Sequence, residues 1–411
     1  MAGAIESEPA EDPFASFTDF VGGDIRDPYR DIFLEKRRRD PVWKGDLVLG
    51  GAEIPGVDAA EQYTVFRFDD CERVLKDPGA FTSTFYDDTI GLVMGRTMLG
   101  MDDPEHRRHR SLVAHAFRQK ALARWENELI GSVVHELIDG FAGRERAELV
   151  QELTFRFPVR VIARLLGLPE EDFAQFQRWS VELIGLAADF ERGIAASQAL
   201  RDYFAGVVDD RRRDPRDDVI SDLVTAEVDG ERLDDEAIYS FLRLLLPAGA
   251  ETTFRSSGNL LMLLLTHPDQ LEAVRDDRSL IPQTVEEGLR CEPPLLIIAR
   301  STTRDTELRG VTIPEGAGVG VCIGSANHDE ERWQDPERFD IFREPQQHLA
   351  FAMGPHMCLG MHLARIETRV LLDAVLDRLP NLRLDPDADD PHVRGLIFRS
   401  PNQVPVVFDP A

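Results

Sequence analysis

One cysteine constrains this chain more than any other residue. Cys358 stands in the stretch Phe351, Ala352, Met353, Gly354, Pro355, His356, Met357, Cys358, Leu359, Gly360. A helical run follows from about Leu359, with Leu363, Ile366, Val370 and Leu371 in its apolar pattern. Gly354 can take the positive φ of a tight turn, and Gly360 puts no side chain in the way of a flat ligand. A thiol under the first turn of a helix lies near the positive dipole end and its unbonded N–H groups, which stabilise the anion. The stretch therefore reads as a loop that offers one thiolate to a metal.

A second signal lies a hundred residues upstream. Periodicity predicts a long helix from about Asp234 to Thr266, N-capped by Asp234 and stopped at His267 and Pro268. Its middle reads Pro247, Ala248, Gly249, Ala250, Glu251, Thr252, Thr253. Proline, glycine and two alanines weaken a helix and predict a bend or an opened turn. Ala248 and Gly249 leave a shallow surface against which a planar cofactor can lie. An adjacent acid and alcohol, Glu251 and Thr252, can hold a water chain, the physical requirement for proton relay.

The two patterns together resemble the cytochromes P450. The resemblance implies a mainly α fold with a smaller β-rich region, and haem b held between the central long helix and the cysteine-loop helix. It makes Cys358 the iron ligand, whose thiolate pushes electron density onto the metal. Phe351, His356, Gly360, Ala248 and Gly249 become cofactor neighbours, and Glu251 and Thr252 the proton-delivering pair.

Other landmarks follow family order. Glu287 and Arg290, at i and i+3, are by themselves an ordinary helix pair. Placed about seventy residues before the thiolate loop, they resemble the family's acid–arginine motif. Arg338, in the run Asp335 to Phe339, is expected as the third charged partner, in a structural rather than catalytic role. Haem propionates need cationic donors. His106 and Arg110, four apart, with Arg300 and His356, match the family positions for them.

Composition agrees with this reading without selecting it. Of 411 residues, 43% are hydrophobic, enough for a large core. The four cysteines Cys71, Cys291, Cys322 and Cys358 show no paired spacing, so reduced thiols and a cytoplasmic setting are expected. No apolar run approaches the length of a membrane span. Residues 1–25 are acidic and punctuated by glycine and proline, a loose tail rather than a signal peptide or anchor. Residues 26–411 are expected to form one domain. A strand is read at Tyr63 to Phe68, helix breaks at 140–143, 167–169 and 214–215, and a β hairpin near Leu396 to Phe408. The non-periodic stretch Phe81 to Met101 is too apolar for an ordinary exposed loop and is expected to line or cover a pocket.

The resemblance implies a monooxygenase that inserts one oxygen atom of O2 into an apolar organic substrate, using two electrons from a redox partner. Two other classes share its features: a peroxide-driven haem peroxygenase, and a non-catalytic haem protein that binds or senses ligands. The retained acid–alcohol pair speaks against the first. Candidate pocket residues are Phe85, Leu92, Leu244, Leu245, Ala248, Leu296, Ile297 and Leu396, none of them an anchor for a carboxylate or amine. At a net charge of −28 no nucleic acid is expected as a partner. Acidic ferredoxins, reduced by ferredoxin reductase, are common donors in the family, and two acidic proteins repel. A local basic patch is therefore expected: Arg107, Arg108, Arg118 and Lys120, with Arg107 and Arg118 on one helix face. The protein is expected to be a monomer.

Overall fold

The computed structural model describes residues 23–47, 61–184 and 189–409. All but the last three residues of the expected loose tail lie outside them. The helices that bear on the site are α1 (Phe68–Lys76), α2 (Gly91–Met94), α3 (Glu105–Ala114), α4 (Gln119–Trp125), α5 (Arg156–Leu165), α6 (Phe190–Arg213), α7 (Asp235–Thr266), α8 (Ile281–Cys291) and α9 (Met361–Arg378). The principal sheet contains β1 (Val42–Lys44), β2 (Gln62–Val65), β3 (Phe81–Thr82), β4 (Ile297–Thr302) and β5 (Gly318–Cys322), in the order β1-β2-β5-β4-β3. Only the β2–β5 pair is parallel; the others are antiparallel. The architecture is mainly helical with a smaller β-rich region.

Helix α7 organises the rest. Asp234 caps it, its side chain accepting from the Ala237 N–H at 2.8 Å, and Asp235 and Glu236 fill the first turn. It ends at Thr266, because Pro268 opens the next helix. From Thr253 to Met262 every residue is buried, so this stretch meets protein on all sides. It packs against α5, α6, α8 and α9. Helix α7 runs unbroken through Pro247, where the sequence predicts a bend or an opened turn. The loosening is local: Pro247 has no N–H to give the Arg243 carbonyl, and the Ala248 carbonyl accepts the Thr252 hydroxyl at 2.8 Å.

The expected helix breaks appear, with helices ending at Asp139, Leu165 and Arg213. The strand at Tyr63 stops at Val65, and α1 begins at Phe68. The expected hairpin near Leu396 to Phe408 does not form. Val393–Arg394 pairs with Ser400–Pro401, while Pro405–Val407 crosses to a separate sheet with Arg146–Glu148 and Arg383–Leu384. Pro401 and Pro405 carry no N–H, which prevents one continuous ladder.

The expected charged triad forms with a different third member. Arg290 grips Glu287 through two bonds, of 2.7 and 2.8 Å, and both side chains are buried. The third cation is Arg343, whose Nε lies 3.2 Å from Glu287 Oε1. Arg338 points outward, 67% exposed, toward Asp340. It contributes only its backbone carbonyl, which accepts from Arg290 and Arg343. The chain turns at Asp335 with φ +46 and directs that carbonyl inward. Removing one member of a buried charge network is costly, whereas a surface change is nearly neutral. Arg343→Met is therefore expected to lower unfolding stability by about 1–3 kcal/mol, and Arg338→Met by less than about 0.5 kcal/mol, in matched thermal or urea melts. Equal losses would contradict this assignment.

Candidate active site

The cysteine loop is held open from several sides. Gly354 has φ +73, and a β-carbon there would collide with the Leu75 carbonyl at the end of α1. The Cys358 N–H donates to the Phe351 carbonyl at 2.9 Å. Arg365 on α9 lies 4.4 Å from the Phe351 ring centroid and bonds Glu286 at 2.6 and 2.8 Å. Burial alone would raise the Glu286 carboxyl, but Arg365 and His348 overcome it and bring it down to about 2.

All four cysteines are free, and only Cys358 is exposed. Burial pushes the Cys291 and Cys322 thiols up to about 12 and Cys71 upward too. Burial is also the largest influence on Cys358 and raises it, against the Gly360 N–H, Arg110 and Arg365. Accessible surface and interior surroundings are compatible only if the sulfur faces an internal space. A β-carbon on Gly360 would meet nothing within 4 Å, so room lies beside the sulfur. The expected lowering of the thiol by the helix end is outweighed by desolvation in the protein alone; a bound metal would reverse that balance.

Four basic side chains converge above the loop. Arg110 Nη2 donates to the Met357 carbonyl at 2.6 Å, and the His106 and His356 rings lie 4.0 Å apart, tilted by 34°. Arg300 is buried on β4, bonded to its neighbour's carbonyl at 2.7 Å and influenced by Tyr86. Burial, then Arg300, His106 and Arg110, pushes His356 down to about 3. Burial lowers His106 and Arg110 likewise. Among the described residues neither Arg110 nor Arg300 has an ion-pair partner, and the buried His106 Nε2 has no hydrogen bond. A cluster that depresses its own members in this way fits a planar group carrying two carboxylates beside a thiolate ligand, as haem does. Among the described residues no three His, Cys, Asp or Glu side chains gather as a metal cage.

Accessible residues in the middle of α7 mark the opposite wall. Leu244, Leu245, Ala248 and Thr252 recur at helical spacing and retain surface where the rest of the helix is swallowed. Gly249 faces elsewhere: a β-carbon there would lie 2.7 Å from Ile162 Cδ1, so this glycine serves the packing of α5 on α7 and not the cofactor face. Glu251 is buried, and its Oε1 accepts from Arg255 at 2.9 and 3.2 Å. Arg255 Nη1 in turn donates to Ser400 at 2.9 Å. Burial raises Glu251 against the pull of Arg255.

Three sets of expected residues need correction. Leu296 and Ile297 are fully buried in a small core with Phe33, Phe66 and Cys322, against which Leu396 packs. The partly accessible members of that stretch are Leu295 and Ile298. Leu92 is 59% exposed and faces out, while Phe85 is half-buried against Tyr86. Arg107 and Arg118 do not share a helix face, because α3 ends at Ala114 and Arg118 sits extended before α4. Arg107 is taken by Asp103 at 2.8 Å, and Arg108 lies 3.8 Å from Glu231.

Sequence reasoning missed Arg255, Arg365 and Glu367. Their spacing, four after Glu251 and seven and nine after Cys358, was the available signal.

The family model described as Cytochrome P450 matches residues 173–394. The chain is 36% identical over 329 residues to the putative cytochrome P450 YjiB of Bacillus subtilis, covering 78% of this chain and 82% of that protein. It is 38% identical over 365 residues to the erythromycin C-12 hydroxylase of Saccharopolyspora erythraea, covering 85% and 87%. The solved structure of cytochrome P450 CYP109Q5 from Chondromyces apiculatus is similar with a TM-score of 0.84 and 36% identity, over 94% of this chain and 96% of that one.

Glu367 joins α9 to α7 through Thr253, the neighbour of Thr252; its Oε1 has no partner, and burial pushes its carboxyl up to about 8. The folded protein thus holds a proton that the unfolded chain releases near the ordinary value of 4.5. Stability attached to this group is complete below the unfolded value and is lost as pH rises toward the folded one. Glu367→Gln mimics the protonated form. It is expected to match the parent near about pH 4 and to exceed it by roughly 3 kcal/mol near about pH 7 in unfolding titrations. A stability difference that does not grow with pH would show that the carboxyl titrates normally.

Proposed function

The chain belongs to the cytochrome P450 family, and from that membership we propose how its residues divide the work: Cys358 is the one protein ligand to the iron of haem b, and Glu251 with Thr252 moves protons. Membership makes the protein a haem-thiolate monooxygenase. The observation that carries the assignment is one accessible thiol beside a basic cluster whose two arginines have no ion-pair partner among the described residues. His106, Arg110, Arg300 and His356 hold the propionates, and Phe351 with Arg365 braces the loop. When bound, the haem supplies the activation of O2 and the insertion of one of its oxygen atoms into a C–H or similar bond.

The protein's own contribution is placement, water exclusion and proton supply. The Thr252 hydroxyl donates to Ala248, which turns its oxygen lone pairs outward as acceptors for a proton-carrying water. Burial biases Glu251 toward holding a proton, and Arg255 tethers the acid on the core side until it turns to the relay. Leu244, Leu245, Ala248, Leu295 and Ile298 give an apolar substrate its wall.

Ferredoxin, reduced by ferredoxin reductase, is the electron donor on this reading. With Arg107 and Arg108 engaged by acids, Arg118 and the exposed Lys120 carry the basic patch; Arg118 Nε donates to the His115 carbonyl. The protein works as a cytoplasmic monomer, with residues 26–411 as one domain.

Cys358→His is expected to move the reduced carbonyl band from about 450 nm toward about 420 nm and abolish turnover. Thr252→Ala is expected to keep haem and substrate binding, while product per electron falls at least about tenfold and peroxide appears. Retention of the long-wavelength band in Cys358→His, or full coupling in Thr252→Ala, would defeat the respective assignment. For the donor, Arg118→Glu with Lys120→Glu is expected to slow reduction by ferredoxin several-fold, roughly as high salt does, and to spare reduction by dithionite. Ferredoxin reduction indifferent to both changes would exclude this patch.

A further inference from the structure

One edge of the principal sheet stops short beside the basic cluster. Strand β3 pairs with β4 at two positions only, Phe81 opposite Thr302 and Thr82 opposite Ser301. Continued in the same register, β3 would bring Thr84 opposite Ala299. The chain instead leaves the sheet in one turn of 3₁₀ helix, Thr84–Tyr86. A backbone N–H left open at such an edge needs another acceptor. The Tyr86 hydroxyl oxygen supplies it, accepting from the Ala299 N–H at 2.9 Å.

The same residue of β4 also holds Arg300, whose Nη1 donates to the Ala299 carbonyl at 2.7 Å. In an extended strand the N–H and C=O of one residue point the same way, so hydroxyl and guanidinium share the open edge of β4. Burial pushes Arg300 down, and Tyr86, ahead of Asp102, opposes it. Arg300 in turn acts on His356, which ties this edge to the rest of the basic cluster. A phenol has one hydrogen to give besides the lone pairs with which it accepts. Among the described residues the Tyr86 hydrogen meets no acceptor. The acid that acts on Arg300, Asp102, is taken by the Thr82 hydroxyl and by the Ser83 N–H at 3.2 Å.

We propose that Tyr86 donates its hydroxyl hydrogen to the haem propionate that Arg300 receives. This rests on the haem-thiolate reading and adds a neutral donor to four basic ones. The hydroxyl then serves two partners, accepting from the sheet edge and donating to the carboxylate, and a bond from O–H to a carboxylate is among the stronger ones. It also ties the cofactor to the stretch Phe81 to Met101, which carries Tyr86. The competing role is that of an edge cap alone, in which the phenol serves Ala299 and nothing else.

The test loads the protein with haem and, separately, with haem dimethyl ester, whose propionates carry no charge. The haem form is first checked for its reduced carbonyl band near about 450 nm. A missing band defeats the haem-thiolate reading itself, a failure distinct from every outcome that follows. Loss of each group to excess apomyoglobin is then timed near about pH 6, well below the ionisation of a phenol. Tyr86→Phe keeps the ring and removes the hydroxyl. It is expected to speed the loss of haem at least about tenfold and the loss of the ester less than about twofold. Equal acceleration of both groups shows an edge cap and overturns the proposal, as does unchanged loss of haem. A ring-fluorinated tyrosine at position 86 is a stronger donor and a weaker acceptor, so the two roles predict opposite signs. Loss of haem at least about twofold slower is expected; unchanged or faster loss overturns the proposal. Should Tyr86→Phe fail to fold or the ester fail to load, this second replacement decides on haem alone.

Discussion

A buried positive charge must find a negative one, and the site depends on where that rule is left incomplete. Elsewhere in the core most guanidinium groups meet a carboxylate, as Arg290 meets Glu287 on its own helix and Arg399 meets Glu292. Around the cysteine loop the rule lapses. His106, Arg110, Arg300 and His356 come from three distant stretches of chain and depress one another. Only the surrounding packing keeps them together, and on the proposed reading they would receive two carboxylates. The thiol beside them is likewise held in an environment that opposes its own ionisation, a balance that a bound metal would reverse.

Helix α7 serves core and site together because successive residues point about 100° apart. Glu251 turns into the core and finds Arg255, while Thr252 turns to the accessible strip. Gly249 gives its space to Ile162 and thereby lets α5 press close behind the strip. Pro247 removes one N–H without ending the helix, since the packed neighbours hold the backbone on both sides. Rigidity on the core face and small residues on the other are what a wall for a flat cofactor requires.

Errors in reading the chain share one cause. Arg338 and Arg343 are both arginines in a turn-rich segment, and only the fold shows that Arg343 faces Glu287 while Arg338 turns to Asp340. Leu296 and Ile297 are as apolar as any pocket residue. The sheet register, with Ile297 opposite Cys322 and Arg300 opposite Val319, sends them into a core instead. The basic run from Arg107 to Lys120 looks like one helix in periodicity, but the chain breaks between Ala114 and Gln119. Each outcome turns on the rotation or pairing of one residue against a partner far away in sequence.

By itself the sequence determined the family, the helical class, the bounds of α7 and the thiol available to a metal, because these rest on local patterns: a cap, a period, a glycine beside a cysteine. Only the tertiary structure decided which charges lack an ion-pair partner among the described residues. Arg37, Arg243 and Arg300 are alike in sequence terms, and only long-range packing gives the first an acid and withholds it from the other two. Pairing of charges is a property of distance in space, and no local pattern encodes it.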